Sequence, residues 1–90
     1  GMTAMLVKNP KAFSETAIDG EVVLLNLRDG TFFSLTGTAA LIWPLLDGTR
    51  SRTALLAELA RTHGEAEAVI APDLDVFLNQ LAKVGFIAGA

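Results

Sequence analysis

The sequence contains no cysteine, no tyrosine and a single histidine. Without cysteine the chain can form no disulfide, no thiolate metal site and no thiol nucleophile, and this composition is typical of a reducing compartment. The lone histidine, His63, precedes Gly64 at the end of a predicted helix, so we expect it to cap that helix or lie on the surface. We therefore predict a cytoplasmic protein that is not an enzyme and has no cofactor.

Long hydrophobic runs and an excess of positive charge are also missing. The longest apolar run, residues 39–46, contains Pro44 and is far shorter than the roughly 20 residues of a membrane-spanning helix. The formal net charge is −3, whereas nucleic acids and anionic membrane surfaces attract basic proteins. We therefore predict that neither a membrane nor a nucleic acid is a partner.

The acidic residues between the second and third predicted helices carry no sign of a metal site. Glu65, Glu67, Asp73 and Asp75 are close in the sequence, but they have neither a histidine nor the spacing of a calcium loop. Negative side chains are favoured at the N-terminus of a helix by its dipole. We interpret them as such charges and predict no bound metal.

Apolar residues, in contrast, are abundant for so short a chain. They make up 51% of the 90 residues, and the mean hydropathy is +0.45. A single small domain of this length cannot bury all of that surface. We therefore expect an exposed apolar area that is either a groove for a partner or the interface of a homodimer, two alternatives to which composition gives equal weight.

Two Asp-Gly pairs, Asp19-Gly20 and Asp29-Gly30, divide the first third of the chain into strands. Asp and Gly tolerate the positive φ angles of a type I′ hairpin turn. The pairs bracket an apolar strand at residues 21–27, with further strands at 12–18 and 31–35. These segments predict a three-stranded antiparallel meander. We expect residues 1–11 to form an extended arm of low order and residues 12–90 to form a single domain that begins with the meander.

Three helices are predicted after the meander. Thr36 can cap the first, which would run to Asp47-Gly48, and a loop at residues 47–50 leads to a second that is capped by Ser51 and ended near His63 by Gly64. The apolar spacing of the third has alternating steps of four and three residues: Ile70, Leu74, Phe77, Leu81 and Val84. Pro72 is then expected in its first turn, and Gly85 after its end.

The predicted fold class is therefore α+β, a three-stranded antiparallel meander followed by three helices, which is similar to a winged helix. A winged-helix protein that binds DNA is one alternative. Asp73 and Asp75 argue against it, because on the last helix only Lys83 balances them and phosphate contacts need basic side chains. A purely structural homodimer, formed through the exposed strand edge or the N-terminal segment, is the other alternative.

Aromatic residues separate core positions from candidate contacts. Trp43 has helical spacing with its apolar neighbours, and we expect it in the core. Phe32 and Phe33 are adjacent in a strand, so their side chains face opposite sides of the sheet and only one can enter the core. In a three-stranded meander the last strand is also an edge, whose unpaired N–H and C=O groups can accept an incoming peptide strand.

The order of these pieces resembles the PqqD family, small proteins of pyrroloquinoline quinone biosynthesis, and the related recognition domains of ribosomal peptide modification pathways. The resemblance covers residues 22–87 and rests on VVLLNLRDGTFFSLTGTAALIWPLLDG followed by DLDVFLNQLAKVGFI. It implies a non-catalytic module that captures the leader segment of a precursor peptide by strand addition. The module would then present the precursor to a modifying enzyme, often a radical S-adenosylmethionine protein.

The resemblance also implies where the peptide lies. The peptide would add to the third strand of the meander and rest against the last helix. On the strand the implied contacts are Thr31, Phe32, Phe33, Ser34 and Leu35, and on the helix they are Asp73, Val76, Phe77, Gln80, Leu81 and Val84. Phe33 stands where family members often have tyrosine, and Pro72 is a second departure from the family pattern.

Overall fold

The protein is described by a computed structural model over residues 4–90. It has six strands and three helices, so the predicted α+β class is confirmed. The elements in chain order are β1 (Met5–Lys8), β2 (Phe13–Ile18), β3 (Glu21–Asn26), β4 (Phe32–Leu35), α1 (Gly37–Ile42), a 3₁₀ turn (Trp43–Leu45), β5 (Asp47–Ser51), α2 (Arg52–His63), α3 (Glu67–Lys83) and β6 (Ile87–Ala88). None of the helices described is long and apolar enough to cross a membrane.

Strands β2, β3 and β4 form the predicted antiparallel meander, with β3 in the centre. The first turn is the expected type I′ turn, because Asp19 and Gly20 have φ angles of 49° and 78°. In the second turn only Gly30 has a positive φ, and the Asn26 carbonyl accepts from the Gly30 N–H at 2.8 Å. The loop therefore has four residues, 27–30, and is closed by an i+4→i hydrogen bond, so the prediction of a two-residue type I′ turn is wrong there.

A second sheet, with strand order β5-β1-β6, was not predicted. Its central strand is β1, in which Leu6 is fully buried, and the pairs Met5↔Ser51 and Val7↔Ala88 join it to both neighbours. The predicted arm of low order is therefore wrong for residues 5–8, and the predicted loop at 47–50 is part of strand β5. The arm's first three residues lie outside the described part of the chain.

The helices depart from their predicted limits at two points. The first helix ends at Ile42 and continues as the 3₁₀ turn, and its N-cap residue Thr36 makes no capping side-chain bond. Helix α3 begins at Glu67, so Pro72 lies inside it and not in the first turn. The ring is tolerated because Pro72 and Ala68, whose carbonyl loses its helical donor, are both exposed to water.

The other helix ends are as predicted. The Ser51 side chain accepts a hydrogen bond from the Ala54 N–H at 3.2 Å and caps α2. Gly64, with φ of 66°, ends α2 in the left-handed conformation. These local signals were sufficient because each acts within one turn of the helix it limits.

One hydrophobic core joins both sheets to the helices. Leu6 of β1, Leu24 of β3, Leu59 of α2 and Leu78 of α3 all belong to the same buried cluster. Trp43 is in the core as predicted, with 1% of its surface exposed. Its indole N–H donates to the Glu15 carboxylate at 2.9 Å, so the one polar atom of the side chain is paired.

Candidate functional site

Strand β4 is an edge of the meander, as predicted. The Asn26 N–H donates to the Thr31 carbonyl at 2.8 Å, which fixes the phase of the hydrogen bonds between β3 and β4. Because such bonds alternate along an antiparallel pair, the backbone groups of Phe33 and Leu35 face β3, and those of Phe32 and Ser34 face away. Two N–H and two C=O groups are therefore directed outward for an added strand.

The side chains of β4 alternate between the two faces of the sheet, as predicted for the adjacent Phe32 and Phe33. Phe33 is half-buried and contacts Phe86 with ring centroids 5.3 Å apart, whereas Phe32 is 70% exposed on the opposite face. Thr31 and Ser34 are exposed too. Leu35 is only 7% exposed and packs in the core, so a peptide could contact its backbone but not its side chain.

Three of the six contact residues predicted for the last helix lie on one exposed face of α3. Val76, which is 58% exposed, lies there with Asp73 and Gln80, and these positions cluster within a narrow arc at 3.6 residues per turn. Phe77 and Val84 border this face and are half-buried against the core. Leu81 is 3% exposed, so its side chain is a core residue and its predicted role as a peptide contact is wrong in this conformation.

Two contacts show how β4 lies relative to α3. Phe33 of β4 touches Phe86, just beyond the C-terminal end of α3. At the other end, Thr38 at the start of α1 lines a common cleft with Asp73 and Phe77 of α3. The chain from β4 into α1 therefore runs along α3 from its end toward its middle. These two contacts place the segment from β4 into α1 beside α3.

The cleft extends this surface between the three helices. Its volume is about 450 Å³, and its lining consists of Thr38, Ala39, Ile42, Leu59, His63, Glu65, Val69, Ile70, Asp73, Leu74 and Phe77. Sequence reasoning identified only Asp73 and Phe77 of this set as contacts. The residues from α1 and α2 were missed because nothing in a single sequence places the end of one helix against the side of another.

Some of the acidic side chains near this surface form ion pairs and others do not. Within residues 4–90 the ion pairs are Arg50–Asp47, Arg52–Asp75 and Arg61–Glu58. The hydrogen bonds from Arg52, at 2.6 and 2.9 Å, hold the pKa of the Asp75 carboxyl below its usual value. Asp73 and Glu65, which line the cleft, belong to none of these ion pairs. The same residues 4–90 contain no group of His, Cys, Asp and Glu side chains placed to hold a metal ion.

Residues 21–87 match the model of the family described as coenzyme PQQ synthesis protein D (PqqD). The chain therefore belongs to the PqqD family.

A solved structure gives a second comparison. The chain is similar to a structure described as TbiB1 in complex with the TbiA(beta) leader peptide, with a TM-score of 0.79 and 28% sequence identity. The similarity covers 93% of this chain and 96% of that one. No match to the sequence was found among the curated proteins.

Proposed function

We propose that this protein binds the leader segment of a ribosomally made precursor peptide by strand addition to β4. The observation that carries the proposal is the outward edge of β4, where the backbone groups of Phe32 and Ser34 are directed away from β3, in a chain of the PqqD family. The similar protein TbiB1 was solved with a leader peptide, which supports the same class of ligand here.

The added strand pairs with the outward N–H and C=O groups of Phe32 and Ser34. Each hydrogen bond contributes about 1 kcal/mol net, so backbone pairing alone gives weak binding. The remaining affinity comes from apolar peptide side chains that cover the half-buried Phe33, Phe77 and Val84. Because ordering the peptide offsets part of this gain, we expect a dissociation constant that is roughly micromolar. This corresponds to a binding free energy near −8 kcal/mol.

The role in the pathway is presentation and not catalysis. The bound leader holds the rest of the precursor near a modifying enzyme, which we propose to be a radical S-adenosylmethionine protein on the basis of the family resemblance. Presentation requires only that the leader stays bound while the enzyme acts on another segment. The protein needs no cofactor of its own for this.

An NMR titration tests the binding mode. The probe is a synthetic leader from a precursor gene adjacent to the gene of this protein, added to ¹⁵N-labelled protein. The largest amide shifts are expected at Phe32 and Ser34 and on the exposed face of α3. Shifts confined to the exposed surface of α2, or no shifts at millimolar peptide, would show that strand addition to β4 is wrong.

A further inference from the structure

The cleft between the helices has features that strand addition alone does not use. Its floor is apolar, formed by buried or half-buried side chains such as Ile42, Leu59 and Ile70. Its volume of about 450 Å³ lies in the range of sites that hold small ligands, roughly 300 to 1,000 Å³. An open apolar cleft of this size can take a large side chain.

The mouth of the cleft is acidic. Asp73 and Glu65 both line it and are exposed, and neither belongs to an ion pair of the described residues. The other titratable side chain of the lining is His63, and no lysine or arginine is among the lining residues. A positively charged group on the ligand would complement these two carboxylates, whereas a negative one would be repelled.

The cleft is also continuous with the proposed peptide site. Asp73 and Phe77 belong both to the predicted contact face of α3 and to the cleft lining. On the other side, Thr38 lies three residues beyond Leu35, the last residue of β4. A peptide paired along β4 therefore reaches the cleft with the residues just beyond the paired segment, at the end near Leu35.

We propose that the cleft binds a large apolar side chain of the leader that is adjacent to a lysine or arginine. The apolar side chain enters between α1 and α3, and the basic neighbour stays at the mouth beside Asp73 and Glu65. This inference rests on the proposed function and adds to it a sequence requirement for the leader. Leaders that have the pair just beyond the paired segment are selected over leaders with an acidic residue there.

Selection from a displayed library of random 15-residue peptides tests this requirement. The bait is the full chain, and the variants are Asp73→Lys, Glu67→Lys and Ser34→Pro. Glu67 lies on the same helix but does not line the cleft. Glu67→Lys changes the charge by the same amount as Asp73→Lys, so it is the control. Circular dichroism melting confirms that each bait is folded before it is used.

The expected result is a motif of a large apolar residue next to lysine or arginine, selected by the unchanged protein and by Glu67→Lys. Asp73→Lys is expected to bind those peptides about tenfold more weakly and to select an acidic residue in place of the basic one. Selected peptides that bind Ser34→Pro more weakly but lack this motif would overturn the cleft proposal alone. The same conclusion would follow if Asp73→Lys selected the same motif as the unchanged protein. Selected peptides that bind Ser34→Pro as well as the unchanged protein would overturn strand addition, and the cleft proposal with it.

Discussion

The two sheets of this protein differ in what their edge strands carry. In the second sheet, β6 is two residues long, and β5 carries the Asp47–Arg50 ion pair, with Asp47 also accepting from the Thr49 N–H at 3.0 Å. Short strands and charged side chains make an edge unsuitable for an added strand. Strand β4 has four residues and no charge. The β4 edge is therefore the one that we propose binds the leader, whereas the second sheet is a scaffold that closes the fold.

We expect the largest effect, a loss of stability, from a substitution in the second sheet. Leu6→Ala removes a fully buried side chain from its central strand, and we expect the free energy of unfolding to fall by about 2–5 kcal/mol. Val7→Ala, at a neighbouring position that is 40% exposed, is the control and should change it much less. Urea denaturation measures both. Equal, small effects would mean that β1 is the loosely attached arm that the sequence suggests.

A proline in β4 tests the proposed pairing of the leader with that strand. Ser34→Pro removes an outward N–H without removing a bond to β3, because the Ser34 N–H faces away from that strand. We expect leader binding to weaken about tenfold or more, with little change in thermal midpoint. Ser34→Ala keeps the N–H and loses only the hydroxyl, which bonds to Glu21. Fluorescence anisotropy with a labelled leader compares the two, and equal affinities would argue against pairing at β4.

Substitutions on the exposed face of α3 are expected to weaken leader binding less than Ser34→Pro does. Val76→Asp and Gln80→Glu each place a negative charge on the exposed contact face, and we expect affinity for the leader to fall several-fold with the thermal midpoint nearly unchanged. Asn79→Asp adds the same charge to an exposed position outside that face. If the control weakens binding as much as the two variants, the effect is one of net charge and the groove lies elsewhere.

We expect the smallest effect on stability from the Arg52–Asp75 ion pair, which joins the start of α2 to α3. Hydrogen bonds from Arg52 lower the pKa of Asp75, so the folded state favours the ionised carboxylate. The pair therefore stabilises the protein above the unfolded pKa, near pH 4, and this stabilisation is lost as the pH falls through the lower folded value. Asp75→Asn should be less stable than the unchanged protein at pH 7.

Acidification tests the same pair. In thermal melts the difference between Asp75→Asn and the unchanged protein should shrink at acid pH, because the native carboxylate is then protonated. Arg52→Gln removes the other partner and should show the same pH dependence. A difference that keeps its size from pH 7 to pH 3 would show that Asp75 acts through packing and not through its charge.

The comparison of the sheets also shows how far a single sequence leads. The meander could be predicted because its strands are consecutive and its turns carry local signals. The second sheet could not, because β1 pairs with segments more than 40 residues away, Met5 with Ser51 and Val7 with Ala88. Four residues such as Met5–Lys8 carry no pattern that specifies a distant partner.

The two Asp-Gly turns show the same limit at a smaller scale. At Asp19-Gly20 the dipeptide alone decides the turn. At Asp29-Gly30 the Asp29 carboxylate accepts from the Thr31 N–H at 3.0 Å, and the Asn26 side chain accepts from the Arg28 N–H at 2.9 Å. These additional bonds favour a longer turn, which the dipeptide does not reveal.

The candidate site was predictable in outline. The position of β4 as the last strand of the meander indicated the edge, and the resemblance to the PqqD family implied the helix face that contains Val76 and Gln80. Leu35 and Leu81 were expected as contacts because the resemblance implied them, whereas both side chains point into the core. The apolar spacing of α3 already placed Leu81 on the same stripe as Leu74. Neither the sequence patterns nor the resemblance showed the cleft, which depends on how α1 and α2 pack against α3.

The pairing of β1 with β6 makes the described chain nearly circular. Ala88 pairs with Val7, and a Cβ on Gly89 would overlap the Met5 carbonyl, so glycine lets the residues that follow β6 lie directly against those of β1. A short linker could therefore join them, and new ends could be opened at Gly64, in the exposed turn between α2 and α3. Such a rearranged chain would have both sheets intact and β4 in the middle of its sequence. Its ends would be far along the chain from the strand that we propose receives the leader.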